Sequence, residues 1–217
     1  MKVFGLHDAY SNAAIFFDID STLYTNDEYA HSQIDLPVMR LAQLRGKTYE
    51  QMNAEIAEYR KRWADSHDGQ AVSLGNIFLT FGISIEESVR WREELCQPEK
   101  FLVEDKQLRA VLQRLASSFK FAVVTNNPVS VAVRTLSVLG VNDILRKIVG
   151  LDTCGVSKPN KVLLLKAAQL CGASPEQCIS VGDRYDIDIA LPLELGMGGI
   201  LVDGVEDVYK LPDLLAV

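Results

Sequence analysis

The sequence predicts an α/β fold: a parallel sheet covered by helices on both faces, interrupted early by a block of helices. Three observations carry this expectation. From residue 100 onward, short apolar runs alternate with helical patterns, the rhythm of parallel strands joined by crossover helices. Residues 13–17, AAIFF, form one more such run far ahead of the others. Between them, residues 35–96 show helical periodicity and no strand-like alternation. The helical block therefore reads as an insertion after the first strand, a cap on an α/β core. The expected division is a core of residues 1–24 and 100–217, with a cap of residues 25–99.

Composition sets the outer bounds. The chain has 217 residues, 48% hydrophobic and 24% charged, ordinary for a globular protein and ample for a large core. A net charge of −7 argues against nucleic acid or anionic membrane as the main partner. An anionic ligand then needs a local positive centre. No apolar run reaches the roughly 18 residues of a membrane span. The opening residues, MKVFGLHDAYSN, lack the apolar stretch and cleavage pattern of a signal peptide. Cys96, Cys154, Cys171 and Cys178 form no CxxC pair, which suits free thiols of a cytoplasmic protein.

The elements follow in order. Residues 13–17 end in polar residues and read as a buried strand. Asp35, with Pro37 in the first turn and Gly46 at the end, predicts the first helix of the insertion. Thr48 and Gln51 form a capping box for the second. There Tyr49, Met52, Ile56, Tyr59 and Trp63 make one apolar stripe, read as packing surface. A short helix is expected over residues 73–81. Ser84 and Glu87 predict another capping box, for a helix that stops before Pro98. In the core, Asp105 caps a helix bearing Leu108, Val111, Leu112 and Leu115, and residues 119–124 are a strand. A helix runs from Pro128 to Gly140, and residues 147–151 are a strand. Pro159 opens a helix reaching Cys171, residues 178–182 are a strand, and a helix disturbed by Pro192 spans Ile187 to Leu195. Residues 200–202 make the last short strand.

Four of these five strands carry polar residues at or just beyond their carboxyl ends. The first gives Asp18 and Asp20; the second gives Thr125, Asn126 and Asn127; the loop after the third reaches Ser157 and Lys158; the fourth gives Gly182 and Asp183, with Asp186 and Asp188 behind. Singly, each has a plain explanation as a helix cap, a solvated charge or a polar turn. Together they fall at one edge of one sheet, where open parallel sheets bind ligands. A buried strand ending in two carboxylates needs compensation, and a hard divalent cation supplies it.

The inventory fits phosphoryl chemistry. One carboxylate can attack phosphorus and form an aspartyl phosphate, and a second can move the protons. A hydroxyl, backbone N–H groups and a lysine can hold the phosphoryl oxygens, while Mg²⁺ screens the two anions from each other.

The motifs also resemble a known family. FFDIDSTL is similar to DxDx[TV], VVTNN to a strand ending in Ser or Thr, SKPN to a lysine before a helix, and VGDRYDID to GDxxxxD, the four motifs of the haloacid dehalogenase-like hydrolases. The resemblance covers the whole chain. It implies a Rossmann-like core with strand order 5-4-1-2-3 and a mobile helical cap. It implies that Asp18 is the nucleophile and Asp20 the general acid/base. It implies that Thr125, Asn126 and Lys158 hold the phosphoryl group. It implies that Mg²⁺ is held by Asp18, Asp183, the Asp20 backbone carbonyl and Asp188, the last as ligand or as support for one. Asp186 falls outside the pattern.

The expected activity is Mg²⁺-dependent hydrolysis of a small phosphorylated metabolite. Dehalogenases of the superfamily lack an acid at the position of Asp20. Phosphomutases keep both aspartates and stay as an alternative. A non-catalytic phosphate-binding protein would be expected to lose one of the four motifs, and none is lost. DIDSTLY is similar to the opening motif of pyrimidine 5′-nucleotidases, and phosphoglycolate phosphatases share the cap type, so nucleoside monophosphates and phosphoglycolate-like esters both stand. Ser21 departs from the Asn or Gly common there. His31, Arg40, Arg60 and Arg62 are the cap side chains considered for substrate contact, none singled out.

Overall fold

The structure, a computed structural model, describes residues 1–6 and 14–217. Its centre is a six-stranded sheet. The strands are β1 (Lys2–Phe4), β2 (Ala14–Phe17), β3 (Lys120–Val124), β4 (Ile148–Val149), β5 (Cys178–Gly182) and β6 (Gly198–Leu201). They lie in the order β1-β6-β5-β2-β3-β4. The last five in sequence are parallel, and β1 pairs antiparallel with β6. The parallel set keeps the 5-4-1-2-3 order. The sixth strand, β1, was not expected; three residues at a sheet edge leave almost no periodic signal. Ala13, placed in the first strand by its sequence, lies outside the described residues.

Alternation along β2 builds both core layers. Ile15 and Phe17 face a cluster with Leu108, Leu112 and Leu115 of α5 (Lys106–Leu115) and Leu136 of α6 (Val129–Val138). Ala14 and Phe16 face the other way, onto Leu163, Leu164 and Ala167 of the helix at Lys161–Cys171. Both faces of the central strand are therefore dry, and β2 and β5 are buried throughout.

Four helices occupy the insertion: α1 (Asp27–Leu44), α2 (Tyr49–Ser66), α3 (Leu74–Thr80) and α4 (Ile85–Leu95). They share an apolar cluster of their own, built on Val38, Leu41, Met52, Ile56, Ile77, Phe78 and Trp91. The Met52/Ile56 stripe is packing surface, flanked by Tyr49, Tyr59 and Trp63. The Thr48–Gln51 capping box closes at both ends. At Ser84 only half of the expected box forms. Ser84 accepts the Glu87 N–H, but the Glu87 carboxylate turns instead to Trp91 Nε1 and Arg90.

The first helix begins eight residues before the predicted start at Asp35. Asn26 is its cap, accepting the Tyr29 N–H at 2.8 Å, and Asp27 and Glu28 favour the first turn. Pro37 then lies inside the helix. Burial of Tyr29, Gln33, Pro37, Val38 and Leu41 on one face overrides the local cost of the proline.

In the core, α7 (Leu151–Cys154) follows β4, and α8 (Lys161–Cys171) begins two residues past Pro159, capped by Asn160. After β5 the expected helix is broken. A single π-helical turn, Tyr185–Ile189, precedes α9 (Ala190–Glu194); such wide turns concentrate at functional sites. Two short helices, α10 (Val205–Val208) and α11 (Leu211–Leu214), close the chain. The four cysteines are free thiols. No helix among the described residues is long and apolar enough to cross a membrane.

Candidate active site

Asp18 follows β2 directly. Its N–H donates to the Val181 carbonyl at 2.9 Å, continuing the ladder to β5 for one residue past the strand. The carboxylate is 4% exposed. Oδ1 lies 2.9 Å from Lys158 Nζ, whereas Oδ2 is sealed from water and has no hydrogen-bond partner. Burial first of all, and then the neighbouring Asp188 charge, raise the Asp18 pKa; Lys158 and Arg184 oppose this, and the result is about 7.

Lys158 is buried beside it. Its ammonium donates to Asp188 Oδ1 at 2.7 Å and to the Val124 carbonyl at 2.9 Å, besides the contact with Asp18. All three donors are thus committed. Burial lowers its pKa, but Asp18 and Asp188 outweigh that and the net shift is upward, so the ammonium stays charged. Asp188 spends its other oxygen on the Arg184 N–H at 3.1 Å. Gly182 makes this arrangement possible: a Cβ there would lie 2.4 Å from that of Asp188.

Asp183 follows β5. Its Oδ1 is buried without a hydrogen-bond partner, and burial chiefly raises its pKa. Asp18, Asp183 and Asp188 offer carboxylate oxygens that all lie within 4.8 Å of one another. Two orphaned carboxylate oxygens in one acidic cluster match what a hard divalent cation requires. The donor set therefore fits Mg²⁺, with Asp18 and Asp183 the freer ligands and Asp188 already engaged by Lys158 and Arg184.

Asp20 sits in a different environment. Oδ1 accepts from the Tyr24 hydroxyl at 2.7 Å and from Gln33 Nε2 at 2.9 Å, and Oδ2 accepts from Asn127 Nδ2 at 2.8 Å. Asn127 also donates to Gln33 Oε1 and accepts from Arg92 Nη1. Burial and the Asp20 charge push the Tyr24 phenol far up, so it remains a donor. Between Asp18 and this network the chain must turn sharply, and Ser21 takes a left-handed φ of 56°, a conformation that Gly and Asn adopt more readily.

Thr125 is fully buried at the end of β3, with its hydroxyl accepting the Asn127 N–H. Asn126 Oδ1 accepts from Ser157 Oγ and from the Lys158 N–H, which anchors the lysine loop. Its Nδ2 makes no hydrogen bond among the described residues. Asp186 lies apart from the cluster, accepting the Ala71 N–H from the insertion.

A cavity of about 180 Å³ opens between core and insertion. Asp20, Asn126, Asp183 and Arg184 line its core side, and Gln33, Arg60, Leu74 and Arg92 its helical side. Asp18 lies behind this floor, lining a crevice of about 10 Å³ with Lys158 and Asp188. The insertion approaches closely here: Ser73 and Ser157 hydroxyls are 2.9 Å apart, and Gly75 leaves no room for a Cβ beside Ser157. The seven residues picked from sequence thus gather around one sheet edge. Of the cap candidates, Arg60 lines the cavity; Arg40 pairs with Glu94 and Arg62 with Glu58. Tyr24, Gln33, Arg92 and Arg184 went unnoticed as site residues. Gln33 and Arg92 left a usable signal, a polar residue on the buried face of its helix.

Comparison with known proteins agrees with this architecture. The family described as haloacid dehalogenase-like hydrolase matches residues 13–195. A glyceraldehyde 3-phosphate phosphatase of Methanopyrus kandleri is 24% identical over 191 residues, 85% of this chain and 81% of the relative. A phosphoglycolate phosphatase of Aquifex aeolicus is 36% identical over 74 residues, 34% of each chain. Among solved structures, a HAD phosphatase from Thermococcus onnurineus superposes with a TM-score of 0.62 at 20% identity, covering 94% of this chain and 97% of that one; this likeness speaks to the fold alone.

Proposed function

The chain belongs to the haloacid dehalogenase-like hydrolase family, and from that premise we propose that it is a phosphatase acting on a small phosphomonoester through an aspartyl phosphate at Asp18. One observation carries the reading: Asp18, buried at the end of the central strand, has one oxygen held by Lys158 and the other free of hydrogen bonds. A carboxylate so placed is fixed in direction and has a lone pair to give.

Asp18 attacks phosphorus as the ester P–O bond breaks, and Asp20 hands a proton to the departing alkoxide. Asp20 then takes a proton from the water that attacks the aspartyl phosphate. Inorganic phosphate leaves and Asp18 is restored. The three donors on Asp20 fix its direction for both transfers. Thr125, the unused Nδ2 of Asn126 and the positive charge of Lys158 hold the phosphoryl oxygens. Mg²⁺, bound by Asp18, Asp183 and the Asp20 carbonyl with Asp188 alongside, would lower the repulsion between carboxylate and phosphate.

Residues 25–99 serve as the cap that admits and encloses the ester. The sealed position of Asp18 and the small cavity support this, since substrate must enter from the cap side. The free thiols and the acidic composition support a cytoplasmic setting. The names of the relatives support a small phosphorylated metabolite as substrate.

The test is turnover of p-nitrophenyl phosphate. Activity is expected with Mg²⁺, is expected to vanish in EDTA, and is expected to be absent in Asp18→Asn. Full turnover in chelator contradicts the metal assignment, and turnover by Asp18→Asn contradicts the nucleophile.

A further inference from the structure

Arg92 is a buried cation with no counter-ion among the described residues. It projects from α4 with 7% of its surface exposed. Its one hydrogen bond runs from Nη1 to the neutral amide oxygen of Asn127, at 3.1 Å. Nε is sealed and unpartnered, and the side chain forms no ion pair among the described residues. The nearest relay to a carboxylate passes through Asn127 Nδ2 to Asp20. An uncompensated buried guanidinium is costly, so the arrangement calls for an anion that arrives from outside.

The rest of the cavity points the same way. Arg60 of α2 lines it and makes no hydrogen bond or ion pair among the described residues. Partial desolvation, and then the charge of Arg184, lower the Arg60 pKa. Arg184 differs from both, because Asp18, Asp183 and Asp188 surround it at 3.6–4.0 Å. The cap side of the cavity thus carries two positive charges without an ion-pair partner among the described residues, opposite the carboxylates of the core.

Resting on the phosphatase reading above, we infer that Arg92, which lines the same cavity as Arg60, binds a second anionic group on the substrate, and that this substrate is a short phosphorylated carboxylic acid. A guanidinium fork matches carboxylate geometry. The cavity is small, about 180 Å³. A two- or three-carbon acid suits that space.

The test compares phosphoglycolate with ethyl phosphate, two-carbon esters with and without a carboxylate, in the presence of Mg²⁺. The wild type is expected to prefer phosphoglycolate in kcat/KM by about 10-fold to 100-fold, the worth of a charge-assisted hydrogen bond. Arg92→Gln is expected to lower kcat/KM on phosphoglycolate by about tenfold more than on ethyl phosphate, and Arg92→Lys to retain part of the preference. Arg60 is exposed, so Arg60→Gln tests the same subsite without risk to the fold and is expected to reduce the ratio. Equal turnover of the two esters by the wild type overturns this inference alone. So does a parallel loss on both esters in Arg92→Gln, which marks a residue that only positions Asn127. A stronger preference for 1,2-ethanediol bisphosphate than for phosphoglycolate overturns the carboxylate assignment. Absence of turnover on every ester overturns the phosphatase reading and this inference with it.

Discussion

At the scale of single residues, environment separates two carboxylates that stand two positions apart. Asp18 is desolvated and held by one lysine, whereas Asp20 is cradled by Tyr24, Gln33 and Asn127. The Asp18 shift has a consequence for stability. Its pKa rises from an ordinary 3.8 to about 7 in the folded, metal-free chain, by burial first and with Lys158 opposing. Between those values the folded state binds more protons than the unfolded state, so this group's contribution falls as pH rises through the window. In EDTA, thermal melts from pH 4 to pH 7 are expected to show a stabilising contribution at the acid end that Asp18→Asn lacks. Identical pH profiles for the two proteins contradict the assignment. The acidic residues were legible in sequence because an apolar strand ending in carboxylates is a conspicuous cost. Gln33 and Arg92 were not picked out. Both bond to Asn127, 94 and 35 positions away, and packing of the insertion on the core brings the three together.

At the scale of elements, the strand ends position the chemistry and the glycines set how closely they approach. Most strands were legible from short apolar runs, and three helix starts from Thr48, Ser84 and Asp105, whose side chains accept the expected N–H bonds. The start of α1 was misread because Pro37 suggested a first turn, while the cap that operates is Asn26. The break after β5 was misread as well. There the chain widens into a π turn and Asp188 packs under Gly182, a contact no local pattern announces. Gly182→Ala should therefore displace Asp188 and with it Lys158. At least a tenfold loss of turnover is expected, with folding retained by circular dichroism. Wild-type activity in this variant contradicts the tight coupling of β5 to the lysine.

At the scale of the whole molecule, the insertion and the core each carry an apolar cluster, and the polar network from Asp20 to Arg92 spans them. Before α1 and after α4 the chain passes between them, and there Asn26 Nδ2 donates to the Phe101 carbonyl and Tyr29 stacks on Phe101. This insertion was legible as a helical interruption in a strand–helix rhythm; the way its arginines face the core depends on tertiary packing and was not. If residues 25–99 act as a mobile cap, the free protein is expected to have a larger radius of gyration in solution scattering than the protein with Mg²⁺ and a phosphate analogue. Equal radii, with binding shown by calorimetry, contradict the mobile cap. The central claim, that turnover passes through a phosphoryl group on Asp18, has a direct measurement. Asp20→Asn protein is mixed with p-nitrophenyl phosphate and Mg²⁺, quenched in acid, reduced with borohydride and mapped by mass spectrometry. Loss of the acid/base group slows the water attack by about 10²–10⁴-fold, so the intermediate accumulates. The account predicts homoserine at position 18, the reduction product of an aspartyl phosphate, and none in the sample without substrate. Homoserine at any other position, or an unmodified Asp18 while nitrophenolate is released, contradicts it.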